Sequence, residues 1–231
     1  MRFEEVGTYT KFVALLAVPI LACSRGEPEI AYAHSNAVAT ASEGSQPGVK
    51  GTALRLVLAP TGNVARYRVR EQLVGRDLPN DAVGETQKLT GAISIDSGGK
   101  VMRDVSKFTV DAASFVSDRD RRDGYVRGRL LEADEYPTVV FVPTAVTGVS
   151  LPLPISGNRE IQMTGDLTVR GVTRPTSWKG TVQFNSGAVA GSMSTAFTFD
   201  DIQMEQPRVP VLLSVADTIK LEINFNLVQQ R

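Results

Sequence analysis

The sequence predicts an all-β protein, a single antiparallel barrel of eight strands with one short helix between two central strands. From residue 53 onward, apolar and polar side chains alternate in eight or nine stretches of strand length, each apolar on one face only. Turn-forming residues separate these stretches at regular spacing. An open sheet of this many strands tends to curl, and closure removes its edges, which favours a barrel.

The chain begins with a segment typical of an export signal. Residues 12–22 form an apolar run of 11 residues, too short to span a bilayer but suited to the core of a signal peptide. The run leads into Leu21-Ala22-Cys23, and Cys23 is the only cysteine. This ending resembles the lipobox of bacterial lipoproteins, which implies that Cys23 carries lipid. We expect residues 1–23 to be a signal peptide with a lipobox; an ordinary cleaved signal and an uncleaved segment are the alternatives.

Residues 24–51 are rich in small and polar residues without a sustained period, which predicts a flexible linker. A random coil of this length reaches roughly 30 Å, enough to hold a folded domain clear of a membrane. With Cys23 lipidated, the protein is expected to be an extracytoplasmic lipoprotein, periplasmic or on the cell surface, anchored in a membrane through its N-terminus. With an ordinary signal it is expected to be secreted.

The first predicted strands are residues 53–58, 66–74 and 87–96. Glu71 lies on the apolar face of the second strand. Because an unpaired buried carboxylate is costly, Glu71 is expected to pair with an arginine or other donors, or to lie at the barrel mouth. A contact with a ligand head group is the alternative. The apolar faces of the second and third strands carry Tyr67, Val69, Leu73, Leu89, Ile93 and Ile95.

The middle of the chain reads as strand, charged segment, strand. Residues 107–115 alternate as a half-buried strand, and the β-branched and aromatic residues 138–147 form the next one. Between them, Ser117 or Asp118 is predicted to cap a short helix, weakened by two glycines and ended by Pro137. The apolar faces of the two strands carry Phe108, Val110 and Phe141.

Four further strands are predicted at residues 160–170, 176–185, 188–200 and 218–228. Two loops, residues 148–157 and 206–217, are apolar where connecting segments are usually polar. Either these loops cap the barrel or form a short edge strand, or they form an apolar mouth. The apolar faces of the four strands include Met163, Leu167, Trp178, Val182, Phe184, Phe197, Phe199 and Phe225.

Composition excludes several functions. Lys and Arg number 25, as do Asp and Glu, and the one basic stretch, Arg119–Arg122, is diluted by Asp, so nucleic acid is not an expected partner. One Cys and one His permit neither an internal disulfide nor a His/Cys metal site, and no cofactor is expected. The single histidine, His34, lies in the linker. No carboxylate pair stands out for hydrolysis, so the protein is not expected to be an enzyme.

Two ordered motifs resemble the YceI-like family of lipid- and polyisoprenoid-binding proteins. The first comprises Ser106-Lys107, Arg122-Asp123 and Tyr136-Pro137, and the second is Gly165 to Pro175, GDLTVRGVTRP. The resemblance covers roughly residues 52–228, and it implies a lipocalin-like barrel over residues 52–231. Family members often have a histidine two residues after the Arg-Asp pair. This chain has Tyr125 there, so no head-group role is transferred to that position.

Apolar faces alone leave a packed core and a ligand cavity as alternatives, since an eight-stranded barrel accommodates either. The family resemblance implies a long apolar channel that holds an isoprenoid or acyl chain. The expected function is therefore extracytoplasmic binding, transport or sequestration of an amphiphilic lipid. The alternative is a tethered structural or adhesion module with a packed core. The residues expected to line the lumen are Tyr67, Val69, Leu89, Ile93, Phe108, Val110, Phe141, Met163, Leu167, Trp178, Phe184, Phe197, Phe199 and Phe225.

Overall fold

The computed structural model describes residues 51–230, in which eleven strands form one antiparallel sheet. The predicted signal peptide, Cys23 and the linker up to residue 50 lie outside the described residues. The strands are β1 Thr52–Leu58, β2 Val64–Leu73, β3 Asn80–Thr86, β4 Leu89–Asp96, β5 Lys107–Asp111, β6 Val116–Ser117, β7 Thr138–Thr147, β8 Ser156–Val169, β9 Val172–Asn185, β10 Ala188–Thr198 and β11 Leu212–Gln229.

Eight of the strands close into a ring, which confirms the predicted barrel. Their order is β1-β4-β5-β7-β8-β9-β10-β11, and β1 pairs with β11 to complete the circle. The long strand β11 makes this possible. Its C-terminal end pairs with β1 at Leu58↔Leu227, whereas its earlier part pairs with β2 from Leu73↔Leu212 to Val64↔Asn224. Strands β2, β3 and β6 therefore extend the sheet beyond the ring on the same edge of β11.

Strand β3 was not predicted, because Asn, Asp and Gly are weak strand formers. Tertiary pairing outweighs that preference: β3 is hydrogen-bonded to β2 in register, with Tyr67 opposite Gly84. The Tyr67 ring lies directly over Gly84, where an added Cβ would come within 2.2 Å of a ring carbon. The glycine that makes the strand look weak in sequence is thus the residue that accommodates the aromatic ring.

The two apolar loops adopt different structures. The loop over residues 148–157 packs its Val149, Leu151 and Leu153 against the barrel core, so it caps one end, as one alternative predicted. In the segment over residues 206–217 the strand alternative applies to the second half, because β11 already begins at Leu212, and only residues 206–211 remain a loop. Proline and polar residues hid this extension, which is held by pairing with β2.

The helix lies between β5 and β7, as predicted, with the short strand β6 just before it, but its ends differ from the prediction. Helix α1 spans Asp120–Tyr125 and continues as a π-helical turn over Val126–Leu130. Its N-cap residue is Arg119, not Ser117 or Asp118. Pro137 does not end the helix, because the chain already turns into the left-handed region at Glu132, with φ +47°. No helix of the described residues is long and apolar enough to cross a bilayer.

The buried apolar side chains form two clusters, one at each end of the barrel. The base cluster lies at the end that loop 148–157 covers, and the mouth cluster lies near helix α1. The base cluster includes Leu54, Leu56, Ile93, Ile95, Met163, Trp178, Val182, Phe184, Val189, Phe225 and Leu227. The mouth cluster is Leu167, Val169, Phe197, Phe199, Ile202, Met204 and Ile219, with Leu130 and Leu131 packed against it.

Candidate functional site: an apolar cavity in the barrel

A cavity of about 760 Å³ lies inside the barrel. It extends from the base cluster, which it reaches at Met163 and Trp178, through the mouth cluster to the start of helix α1. The structure therefore contains both alternatives: a packed core at the base and an open lumen above it. Eleven of the fourteen residues predicted to line the lumen do line this cavity: Tyr67, Val69, Phe108, Val110, Phe141, Met163, Leu167, Trp178, Phe197, Phe199 and Phe225.

Three predicted lining residues lie elsewhere. Ile93 and Phe184 belong to the base cluster, where facing strands fill the interior, and Leu89 packs against that cluster only partly buried. Ile93 and Phe184 are on the correct face of their strands, but they lie too far toward the base to reach the cavity. Alternation of side chains specifies the face of a strand, not the depth in the barrel.

Sequence reasoning missed the part of the wall that comes from outside the strands. Val126, Leu130 and Leu131 of the helical segment line the cavity, as do Pro207 and Val209 in the loop before β11. The unusual apolar character of residues 206–217 was the available signal, and the mouth alternative considered for that loop agrees with this placement. The solvent-exposed lining residues mark the cavity mouth: Arg119, Asp120, Arg121, Pro210 and Val211.

The mouth end of the cavity contains a buried ion pair. Arg122 of α1 donates from Nη2 to Oε1 of Glu71 on β2 at 2.6 Å, and the two side chains are only 12% and 8% exposed. Asn80 adds a hydrogen bond to the same carboxylate oxygen at 3.2 Å. Burial lowers the pKa of Arg122, but its ion pairs with Glu71 and Asp118 outweigh burial and leave the pKa raised. The prediction that Glu71 pairs with an arginine is confirmed.

Tyr67 lines the cavity beside this ion pair. Its ring packs against Phe115 with centroids 5.6 Å apart. Burial, opposed by the charge of Arg122, raises the pKa of Tyr67 to about 12. The phenol therefore keeps its proton at neutral pH and retains an O–H donor next to the lumen.

The family motifs hold the barrel and helix together. Buried Asp123 accepts hydrogen bonds from the backbone N–H and the hydroxyl of Ser117, at 2.9 and 2.6 Å, which fixes the approach to α1. Gly171 has φ +73° in the β8–β9 turn and lies against the Tyr136 ring, where an added Cβ would come within 2.9 Å of a ring carbon. Tyr136 thereby joins the first motif to the second, so these residues act on architecture.

Trp178, the only tryptophan, points into the barrel as predicted and lines the cavity floor. Its ring meets the Phe141 ring edge to face, with centroids 5.8 Å apart. Its indole N–H is buried and has no hydrogen-bond partner among residues 51–230. The emission of this single indole is thus a direct probe of the lumen.

A closed antiparallel barrel around an apolar cavity defines a lipocalin-like fold. A family model, the YceI-like domain, matches residues 59–227. The protein belongs to the YceI-like family.

Known relatives and structures agree with this assignment. A UPF0312 protein of Pseudomonas putida is 30% identical over 139 residues, covering 55% of this chain and 65% of the relative, and one of Pseudomonas savastanoi pv. phaseolicola matches to the same extent. The match thus spans 65% of the length of these relatives.

Two solved structures share the fold. A polyisoprenoid binding domain from Saccharophagus degradans implicated in plant cell wall breakdown has a TM-score of 0.59 at 15% identity, covering 78% of this chain and 99% of that one. Burkholderia cenocepacia BcnA has a TM-score of 0.52 at 18% identity, covering 71% and 95%. At these identities the likeness concerns the fold.

Proposed function

We propose that the protein binds the apolar tail of an amphiphilic lipid, an isoprenoid or a long acyl chain, in the barrel cavity and sequesters or transports it outside the cytoplasm. The observation that carries the proposal is the cavity of about 760 Å³ with an almost entirely apolar wall. Its size lies within the range of roughly 300–1,000 Å³ that is usual for small-molecule sites. The fold shared with a polyisoprenoid binding domain supports the choice of ligand.

The free energy of burying apolar surface favours a ligand with a long tail. Each buried methylene contributes about 0.8 kcal/mol, so ten of them contribute about 8 kcal/mol before the costs of association. Such a ligand needs few directional contacts. The wall offers few: Arg122 is engaged by Glu71 and Asp118, and Glu222 is engaged by Arg68 and Lys220. Because these charges are already neutralised, the buried wall favours an apolar tail, and a head group would meet the exposed Arg119, Asp120 and Arg121 at the mouth.

The same pairing argues for binding without catalysis. A general acid or base needs a proton that can be exchanged at the reacting atom. Of the three carboxylates that line the cavity, Glu71 and Glu222 are held by arginine or lysine donors and Asp120 is exposed at the mouth, and the Tyr67 phenol has a pKa of about 12. We therefore assign these groups to the wall of a binding site.

Organic extraction of the purified protein is expected to release a long-chain lipid, identified by mass spectrometry. Removing it should shift the emission of Trp178, since the indole forms the cavity floor. Adding back a long-chain isoprenoid should restore the emission in a saturable manner. A short alcohol without a tail is the control and should leave the emission unchanged. An extract without lipid, together with a flat titration, would favour the packed structural or adhesion module and reject the binding function.

The localisation belongs to the same proposal: Cys23 is lipidated and holds the barrel at a membrane on the extracytoplasmic side. The support is the motif Leu21-Ala22-Cys23 after an apolar run, with Cys23 as the only cysteine. One acyl chain binds membranes only marginally, so stable anchoring needs more than one chain on this residue.

Replacing Cys23 with Ser is expected to move the protein from the membrane fraction to the soluble fraction, as measured by fractionation and immunoblotting. The fold and the Trp178 titration should not change, because the altered residue precedes the barrel. Wild-type protein found entirely in the soluble fraction would reject the anchor and leave secretion as the explanation.

A further inference from the structure

The exposed apolar side chains are concentrated at the cavity mouth. Seven large apolar side chains are exposed among the described residues, and four of them lie on two adjacent segments. These four, the docking rim, are Val74, Leu78, Val211 and Leu213, each more than half exposed. An exposed apolar cluster of this kind marks a surface that contacts another apolar phase or molecule.

The backbone brings the two segments together. The end of β2 and the start of β11 are paired at Leu73↔Leu212, and the N–H of Val74 donates to the carbonyl of Val211 at 3.0 Å. Leu73 and Leu212 line the cavity, whereas Val74 and Leu213, one position further along each strand, face solvent. Val211 is both exposed and part of the lining, so the docking rim is continuous with the cavity wall.

Charges of both signs flank the docking rim. Arg76 and Asp77 are exposed in the turn that carries Leu78, and that turn shares a depression with Arg119 of the helix start. Asp120 and Arg121 are exposed beside Arg119. A zwitterionic phospholipid head group also has both signs, a phosphate for the guanidinium groups and an ammonium group for the carboxylates. The mixed rim complements that surface better than it complements a strongly anionic one.

We propose that the docking rim seats the cavity mouth on a phospholipid bilayer, with Leu78 and Leu213 inserted among the head groups. The inference rests on the proposed function, in which the cavity holds a lipid tail. Each methylene of the tail that is exposed to water during transfer costs about 0.8 kcal/mol of free energy. A mouth docked on the bilayer lets the tail enter without that exposure. The geometry thus assigns the membrane surface as the place where the cavity is loaded or emptied.

Collisional quenching by brominated lipid tests this orientation. In the full-length chain with Trp178→Phe, a new indole is placed by Leu78→Trp or, as a matched control, by Ile155→Trp. Both positions are almost equally exposed, at 78% and 77%, but Ile155 lies in the loop at the base end. Vesicles of phosphatidylcholine brominated on its acyl chains should cause a several-fold larger loss of emission at position 78 than at position 155. Attachment through a lipidated Cys23 alone would bring both positions near the bilayer without inserting either side chain, so it would not produce this difference.

Three further measurements sharpen the result. Leu213→Asp in the Leu78→Trp chain should reduce the loss of emission, whereas Val228→Asp, an exposed apolar position outside the docking rim, should not. Added salt should change the loss little, because the three arginines and two aspartates beside the rim leave a net charge of only +1. Protein separated from the vesicles should recover its emission; a loss that persists would come from brominated lipid in the lumen and would overturn the docking.

Equal quenching at both positions, or none at either, would also overturn the inference, and a concentration-dependent dimer without quenching would assign the rim to a second copy of the chain. Organic extraction separates this failure from failure of the proposed function. Lipid recovered from a protein that shows no quenching leaves lumen binding intact and rejects membrane docking alone. An extract without lipid rejects the function itself.

Discussion

Replacing Arg122 with Met is expected to lower the free energy of unfolding by about 3–5 kcal/mol, because it leaves the Glu71 carboxylate buried without its charged partner. Glu71 is only 8% exposed, and among its contacts Asn80 alone would remain to donate to it. Arg122 also ties α1 to β2, so the loss includes the attachment of the helix over the cavity. Chemical denaturation with the midpoint and slope fitted together measures the change.

The neighbouring substitution Arg121→Met is the control. Arg121 is exposed and forms no ion pair with residues 51–230, so its removal should change the free energy of unfolding by less than about 0.5 kcal/mol. The double variant Glu71→Leu/Arg122→Met should recover much of the stability, because no buried charge is then left unpaired. An Arg122→Met barrel as stable as the wild type would mean that the ion pair contributes nothing to the fold.

Phe184→Ala is expected to lower the free energy of unfolding by about 3–5 kcal/mol without weakening the lipid titration, because Phe184 fills the packed base and does not reach the cavity. Phe199→Ala is the matched substitution in the lumen wall. The two rings are equally buried, at 4% and 3% exposure. Truncation of Phe199 enlarges a space that already exists and that ligand can occupy, so its stability cost should be smaller.

The two substitutions should therefore affect stability and ligand binding to different extents. Phe184→Ala should shift the thermal unfolding midpoint more, and Phe199→Ala should shift the saturation point or apparent affinity of the Trp178 titration more. Equal stability losses with no change in either titration would indicate that the cavity wall is packed as tightly as the base. That result would contradict the division of the barrel into a solid base and an open lumen.

Most of the lumen could be predicted because the relation between sequence and strand face is local. A residue and its second neighbour point to the same side of a strand, so Tyr67, Val69 and Glu71 could be assigned to one face without knowledge of any other strand. Phe197 and Phe199 follow the same rule. Local alternation also predicted most of the strand content, and closure of the sheet follows from the need to remove free edges.

Other features depend on partners distant in the sequence. Strand β3 exists because β2 supplies its hydrogen bonds and Tyr67 covers Gly84. Both interactions involve residues outside β3, so the strand preferences of its own residues do not predict them. The first residues of β11 are strand for the same reason. The mouth wall also escaped prediction, because it is formed by the helical segment and by residues 207–211, whose apolar character has no strand period.

The amino-acid order alone established an antiparallel barrel, the faces of its strands, the need of Glu71 for a partner and, by its motifs, membership of the YceI-like family. It did not establish where along each strand the core ends and the cavity begins, because alternation contains no information on depth. It also did not identify Arg122, 51 residues away, as the partner of Glu71. Tertiary packing supplies both answers. Strand β2, paired with β11 beside the ring, holds Glu71 against Arg122 of the helix, and the facing strands with loop 148–157 pack around Phe184 at the base.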